Sequence, residues 1–556
     1  MIQCVNFVSQ SLNILSRNSE KLLVLAKNIN TENFDIKVKG EYQAKGLKSG
    51  YNYKGTWWFC VWDKEKKTVK LIRDKHGYTS IFYLITDQTL YISEDIQSLL
   101  KIKKTTLNLK RIAALMIFYK TDEVTQTHFN EIHSLPAGYE LIIQEKKLEI
   151  KRYWFPENTI TKKYSNTNEY AEELYLIFEN SVKKALDKSV KPASMLSGGL
   201  DSSSVVCVAA NLLQKANKNL ETYTHIPLFG NEYSTKSHRF GDETEHAKTV
   251  LQKYSNIKAN WLKSEQISPI KGLEKYLEIS AEIIHGASNA FWLYDLHLQA
   301  AINGHDLLLS GENGNGTISF DGIRSLLPWN HPFYSNMPLR RIKDKIYGPI
   351  SHQLKSFLNI KEQVILDNYP HFLNKNIICE LDLDEAYKSD HSTRSKVSSK
   401  AKMSTLIDLA RVSRMPPGGV FAKHFGYSMA DPTGSEDVIE YCFSLPNEAF
   451  FGTKGCTRNI ARTMMKGRLP EKIRTELKFG LQSSDITARL LNKPHEVDDA
   501  LMKITKNHTF NYLFDVKKLQ NYWNLLKISD PKKANVGEVN SLLKSIMAGF
   551  FILKYE

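Results

Sequence analysis

The spacing of apolar and polar positions changes once along this chain, and the change divides it. In the early part, apolar residues come in short runs separated by turn-like polar residues. Residues 57–62 read Trp-Trp-Phe-Cys-Val-Trp, an aromatic and β-branched run that predicts a buried strand. Residues 68–72, 81–85 and 90–92 predict further short strands, spaced as in stacked antiparallel sheets. Residues 156–167 are polar and predict a linker. From 168 onward the spacing turns helical, and 169–186 predicts an amphipathic helix. Short apolar stretches at 194–196, 221–227 and 306–309 predict buried strands, and 205–213 predicts a helix. Strands alternating with helices predict a parallel, doubly wound sheet, which offers ligand sites at the carboxyl ends of its strands. Beyond 330, leucines and aromatics recur at helical spacing. The expected architecture is therefore an α+β sandwich of antiparallel sheets over 1–155, a linker over 156–167, and an α/β domain with a helical C-terminal part over 168–556.

Composition adds bounds. A chain of 556 residues exceeds what one core usually serves. No run of about 18 or more apolar residues is read, so no membrane span is expected. The segment Met1-Ile2-Gln3-Cys4-Val5-Asn6 has no basic stretch before an apolar one, so no secretory signal is expected. The six cysteines (Cys4, Cys60, Cys207, Cys379, Cys442, Cys456) include no Cys-x-x-Cys pair, which argues against a zinc knuckle or a disulfide framework and for a reducing cytoplasm. The net charge of +15 is spread over short basic stretches at 64–70, 101–104 and 396–402, each read as a solvated face and not as a nucleic-acid patch.

The chemistry concentrates at Ser197-Gly198-Gly199-Leu200-Asp201-Ser202-Ser203, which follows an apolar strand and opens a helix. The glycines let the backbone approach an anion, successive N–H groups form a nest, and the helix adds the positive end of its dipole. The serines supply hydroxyl donors. A nucleotide polyphosphate fits such a loop. It is not the Walker loop, because no Gly-Lys-Ser/Thr follows. Asp201 is the candidate Mg²⁺ ligand, since a hard cation takes carboxylate and phosphate oxygen.

Ser-Gly-Gly-Leu-Asp-Ser resembles the pyrophosphate loop of ATP pyrophosphatases, and the whole chain resembles the asparagine synthetase family, which includes asparagine synthetases, β-lactam synthetases and lasso-peptide cyclases. Tyr53-Lys54-Gly55-Thr56-Trp57-Trp58-Phe59 with Trp62-Asp63 resembles that family's Gly-x-Phe-Ala-Phe-x-x-x-Asp strand. Arg73-Asp74-Lys75-His76-Gly77, Ile92-Ser93-Glu94, Leu135-Pro136-Ala137-Gly138 and Tyr153-Trp154 follow in the family's order. In the second part, Ser310-Gly311-Glu312-Asn313-Gly314-Asn315 resembles its Ser-Gly-Glu-Gly-x-Asp loop. Asp431-Pro432 with Asp437 and Phe443-Ser444-Leu445-Pro446 resembles its Pro-Phe-x-Asp…Leu-Pro segment. Arg458, Arg462 and Pro470 then lead to Glu476-Leu477-Lys478-Phe479-Gly480, which resembles its lysine-glycine segment. The resemblance implies a glutaminase-like N-terminal domain over 1–155 and an ATP-pyrophosphatase-type synthetase domain over 168–556. It also implies ATP and Mg²⁺ as cofactors.

There are two departures from the family pattern. Glutamine-using members begin Met-Cys-Gly, whereas residue 2 here is Ile and the nearest cysteine is Cys4, read as a buried structural cysteine on the first strand. The expectation is a glutaminase fold without its activity. The family's aspartate in the second loop is Asn315 here, which offers a carbonyl but no charge.

The resemblance implies these roles. Ser197, Gly198, Gly199, Leu200, Asp201, Ser202, Ser203 and Gly311 hold ATP, and Asp201 and Asn315 hold the metal. Lys478 stabilises charge at phosphorus and at the tetrahedral carbon, and Glu312 is the general base. Asp242-Glu243 begins a helix and either helps cap the nucleotide site or simply starts that helix, the latter being favoured. The expected reaction is adenylation of a carboxylate followed by attack of an amine. Without a glutaminase nucleophile, an amine already on the substrate is favoured, as in a lasso-peptide cyclase. The expected partners are then a peptide or small-molecule carboxylate and amine, a leader-peptide-binding protein and a leader peptidase. An asparagine synthetase using ammonia or glutamine is the alternative. A tRNA-modifying adenylating enzyme and an inactive scaffold are further ones.

Overall fold

The aromatic run at 57–62 forms a strand that is buried along its whole length. Its two faces serve different cores. Trp58, Cys60 and Trp62 point between two sheets, where they meet Val5, Leu71 and Ile92. Trp57, Phe59 and Val61 point the other way, against Phe34, Val38 and Tyr42 of the helix Phe34–Lys45. Side chains alternate along a strand, so a strand covered on both faces reads as an unbroken apolar run.

The computed structural model describes residues 4–8, 14–15, 21–28 and 33–347 except 76, 78, 118–123, 146, 165 and 231–238, then 370–383, 398–412 and 417–556. Residues 1–3, His76, Ser165 and Lys396, which figure in the sequence reading, lie outside these.

The N-terminal strands are β1 (Cys4–Val8), β2 (Ile14–Leu15), β3 (Leu22–Asn28), β4 (Trp57–Asp63), β5 (Thr68–Arg73), β6 (Phe82–Thr86), β7 (Thr89–Ser93), β8 (Ile132–Ser134), β9 (Tyr139–Gln144) and β10 (Lys147–Arg152). They form two five-stranded sheets, ordered β2-β1-β7-β6-β8 and β10-β9-β5-β4-β3. The expectation of antiparallel sheets needs one correction: β1 and β7 run parallel, with Cys4 opposite Thr89. Several strands and a helix separate the two in sequence, and such a long connection permits a parallel pair where a short hairpin does not. Cys4 is half-buried rather than buried, and its thiol donates to Asn6 Oδ1 at 3.2 Å. None of the six cysteines forms a disulfide.

The helix Thr167–Leu186 begins where the polar stretch ends, and Asn166 caps it by accepting from the N–H groups of Asn168 and Glu169. Next come β11 (Pro192–Met195), β12 (Leu220–His225), β13 (Arg239–Phe240), β14 (Ile257–Leu262), β15 (Leu307–Leu309), β16 (Ser428–Ala430) and β17 (Phe479–Gly480). Five of them form a sheet ordered β14-β12-β11-β15-β16, and every neighbouring pair is parallel. The chain leaves β11 for β12 and β14 on one side, then returns to place β15 on the other. The order therefore reverses between β11 and β15, and a parallel sheet opens a ligand crevice at the carboxyl ends of such a pair. The loops after these two strands are Ser197–Gly199 and Ser310–Gly316. β13 and β17 form a separate two-stranded parallel ladder, Phe240 beside Gly480.

The C-terminal part is helical and ends in Val536–Tyr555. This helix departs from the expectation about apolar length: it is long and apolar enough to cross a membrane by length and composition, at a mean hydropathy of 1.4. However, 67% of its most apolar window is buried against the rest of the protein. Its Lys544 donates to the carbonyls of Leu115 (3.2 Å) and Met116 (2.8 Å) at the end of the helix Leu109–Ile117. It is a core helix shared by both parts of the chain.

Candidate active site

Ser197 and Ser202 tie the first loop to the helix Leu200–Lys215. The Ser197 N–H donates to Ser202 Oγ at 3.1 Å, and the two hydroxyls lie 2.8 Å apart. Gly198 has φ +69°, and a Cβ there would stand 2.7 Å from His246 Cβ, so only glycine fits. Ser203 is fully buried and does not line the cleft, although it was expected to hold nucleotide. Its N–H is spent on Gly199 O at 3.1 Å, because it already lies inside the helix ladder.

Asp201 meets the second loop. A Cβ on Gly314 would lie 2.2 Å from Asp201 Cγ, so the two loops nest directly on one another. Asp201 Oδ1 is buried and has no hydrogen-bond partner among the described residues. Burial pushes its carboxyl up to about 6; Ser319 and Arg458 oppose the shift, and Asp431 and Asp321 add to it. A buried carboxylate oxygen whose charge Arg458 only partly offsets suits a hard cation. Asn315 fits less well. Its Oδ1 accepts from the Arg458 guanidinium at 3.1 Å, which puts fixed positive charge where a cation was expected. Among the described residues no group of three or more His, Cys, Asp or Glu is assembled for a metal. A bound Mg²⁺ would therefore rest on Asp201 and substrate phosphate, with Asn315 assigned to Arg458.

Glu312 opens the turn Glu312–Gly316 and lines the cleft. Its side chain is exposed to solvent in the open cleft, although protein atoms crowd around it. The resulting burial, with the charge of Asp431 added, pushes its carboxyl up to about 7; water filling the open cleft reduces that shift. Asp431 also clamps the next residue, accepting from the Asn313 N–H at 2.7 Å and from Asn313 Nδ2 at 2.9 Å.

Lys478 approaches from the opposite wall. It is exposed to the cleft, and its N–H donates to Glu476 Oε1 at 2.8 Å. Arg462 holds the main chain around it, donating to Thr457 O at 2.9 Å, to Glu476 O at 2.8 Å and to Arg474 O. His246, stacked on Phe240 with centroids 4.4 Å apart, lies 3.4 Å from Glu476 Oε2. Glu243, read from sequence as a helix starter, does begin Thr244–Lys253, but it also lines the cleft. Its carboxylate occupies the space of any Cβ on Gly480, at 1.9 Å. Burial and the neighbouring Asp242 push it up to about 8.

The cleft measures ≈ 1030 Å³ and gathers Ser197–Ser202, Gly311, Glu312, Asn315, Arg458 and Lys478. Its far wall includes Arg111 and His128 from the N-terminal part and Asn540 from the last helix. Glu243, favoured from the sequence as a plain helix start over a cap for the nucleotide site, lines the cleft, and the guanidinium of Arg458 was not expected there. The signal for Arg458 was its place in the run toward Lys478; for Glu243 it was its place at a helix start.

A phosphate-type loop at the switch point of a parallel sheet, facing a lysine and a carboxyl across one cleft, defines a nucleotide-dependent synthetase type of site. The signature of the asparagine synthase family matches residues 173–537, and that of a glutamine amidotransferase domain matches residues 37–154. This chain belongs to the asparagine synthase family. Two Bacillus subtilis proteins named asparagine synthetase [glutamine-hydrolyzing] are similar. One is 26% identical over 211 residues, covering 35% of this chain and 28% of that protein; the other is 26% identical over 174 residues, covering 31% and 28%. The chain spans less than half the length of the curated relatives it matches. Among solved structures, an NH3-dependent NAD synthetase from Campylobacter jejuni is 16% identical, covering 42% of this chain and 98% of that one, with a TM-score of 0.19.

Proposed function

We propose that this chain is an ATP-dependent amide-forming synthetase, which activates a carboxylate with ATP and passes the acyl group to an amine. The observation that carries this is the convergence of the Ser197–Ser202 loop, the unpartnered Asp201 oxygen, Glu312 and Lys478 on one cleft. The loop N–H groups and hydroxyls hold the polyphosphate of ATP. The substrate carboxylate oxygen attacks the α-phosphorus, the bond to the β-phosphate breaks, and pyrophosphate leaves. When bound at Asp201, Mg²⁺ supplies charge that neutralises the leaving pyrophosphate. Lys478 stabilises the charge that develops on the phosphorus oxygens and then on the tetrahedral carbon. The amine attacks the acyl carbon, Glu312 takes its proton, and AMP leaves.

The favoured substrate is a peptide carrying both the carboxyl and the amine, closed to a macrolactam as in lasso-peptide cyclases. Two facts support this. None of the six cysteines is followed by glycine, so the Cys-Gly start of glutamine-using members is absent from this sequence. The cleft is also at the upper end of the size range of small-molecule sites, about 300–1,000 Å³, and so has room for more than the nucleotide. Holding both reacting ends in one pocket gives a large advantage over a bimolecular reaction. This reading places the chain in the cytoplasm, with a leader-peptide-binding protein and a leader peptidase as partners. The names of the Bacillus relatives favour a second reading, in which aspartate is the acyl donor and ammonia the amine. Purified protein given ATP and Mg²⁺ should release AMP and pyrophosphate in the presence of its acyl substrate. Release with a precursor core peptide supports the first reading, and release with aspartate and ammonium supports the second. Turnover to ADP and phosphate would refute both.

A further inference from the structure

We infer that the N-terminal unit takes part in synthesis as a brace for the Glu312 loop, with Lys75 as the positioning residue. The inference rests on the role given to Glu312 above. Its basis is a set of contacts on one acidic helix, Glu436–Ser444. Glu436 and Asp437 stand in the first turn of this helix, where carboxylates are favoured by the dipole, and Glu440 follows one turn on. The N-terminal unit answers them with cations and a donor. Lys54 pairs with Asp437 at 2.9 Å, and Lys75 pairs with Glu436 and lies 3.9 Å from Glu440. The indole N–H of Trp154 donates to Glu440 Oε1 at 3.2 Å. The pair Lys75–Glu436 is sheltered, with side chains 13% and 8% exposed. Exposed pairs contribute little, whereas removing one partner of a sheltered pair strands the other charge. Lys75 is itself fixed in the turn after β5, where Asp74 accepts from the Gly77 N–H at 2.8 Å and from the Trp57 N–H at 3.3 Å.

From Glu436 the chain leads straight back to the site. Ser435 caps the acidic helix. Before it lies the turn Pro432–Gly434, capped by Asp431, which accepts from the Thr433 N–H at 2.9 Å. The other oxygen of Asp431 holds Asn313, the neighbour of Glu312, by main chain and side chain. Thr317 Oγ1 donates to Thr433 O at 2.8 Å and fastens the far end of the same loop. One rigid turn thus has the Glu312 loop on one side and the Lys75 grip on the other. The Ser197–Ser202 loop supplies none of the hydrogen bonds named in this chain of contacts; it packs against Gly311 and Gly314 of the Glu312 loop.

The test uses the full chain with Lys75→Met and Lys75→Arg, read by hydrogen exchange and by pyrophosphate release. The brace predicts that amides of 311–317 exchange about tenfold faster or more in Lys75→Met, that those of 197–203 stay as in the wild type, and that Lys75→Arg restores the slow rate. It also predicts that kcat falls about tenfold or more while KM for ATP stays within about twofold. Unchanged exchange at 311–317, or equal acceleration in both loops, overturns the inference. If Lys75→Met does not fold, Glu436→Gln replaces it under the same criteria. A wild-type protein that releases no pyrophosphate with any acyl substrate refutes the functional reading, and the exchange measurement still decides the brace.

Discussion

Lys478 reaches the cleft on a main chain fastened by Arg462, Glu476 and the β13–β17 ladder, while its amine is left to face the cavity. Lys478→Ala should therefore lower kcat about 100-fold or more with ATP still bound, as for other lost donors to a developing oxyanion. Pyrophosphate release and calorimetric ATP binding separate the two effects. Glu312 acts as a base only when ionised. Its carboxyl is pushed up from 4.5 toward about 7, less the part that water in the cleft takes back, so the rate should rise with pH between those two values, and Glu312→Gln should be slow and lack the inflection. Asp201 must also be ionised to hold a cation. With its carboxyl pushed up to about 6, magnesium dependence should steepen as pH falls below that value, which a titration of rate against Mg²⁺ at several pH values reads directly. Gly198 and Asp201 sit in a short local pattern whose chemistry follows from the residues themselves, whereas Glu312 and Lys478 were pointed to only by the resemblance to the asparagine synthetase family; the fold brings all four to one cleft. The packing of the Glu243 carboxylate against Gly480 and the contact of Arg458 with Asn315 were not legible, because only folding brings their partners close.

At the scale of elements, the site depends on loops that fit into each other. Gly314→Ala puts a methyl on the Asp201 side chain and should reduce activity far more than stability, because Asp201 must turn away to make room. Comparing pyrophosphate release with thermal midpoint checks this; normal activity would mean that Asp201 is not placed as described. The element reading from sequence succeeded where one face or both faces of a segment are covered. The strand at 57–62 and the helix after Gly199 are the clearest cases, since alternation and a glycine start are local signals. It erred at β1 and β7, whose parallel pairing depends on which strand lies beside which, a choice that apolar alternation does not encode.

For the whole molecule, Lys544 is the point where the last helix meets the N-terminal unit. Burial pushes its amine down to about 8 from an ordinary 10.5. Between those values the unfolded chain holds more protons than the folded one, so this group makes stability rise with pH across the window. The contribution is complete above 10.5 and lost as pH falls through 8. Lys544→Met should flatten the slope of thermal midpoint against pH between 8 and 10, and an unchanged slope would show that the amine titrates normally. The sequence by itself determined the two-part organisation, the glycine-serine loop and the kind of ligand proposed for that loop, because turn geometry, side-chain period and N–H nests are set by neighbours in the chain. Only the tertiary structure decided that Asn315 faces a guanidinium, that Ser203 is lost to the core and that Lys75 is tied to the Glu312 loop. Those outcomes depend on charges and surfaces that meet through space, from segments far apart along the chain.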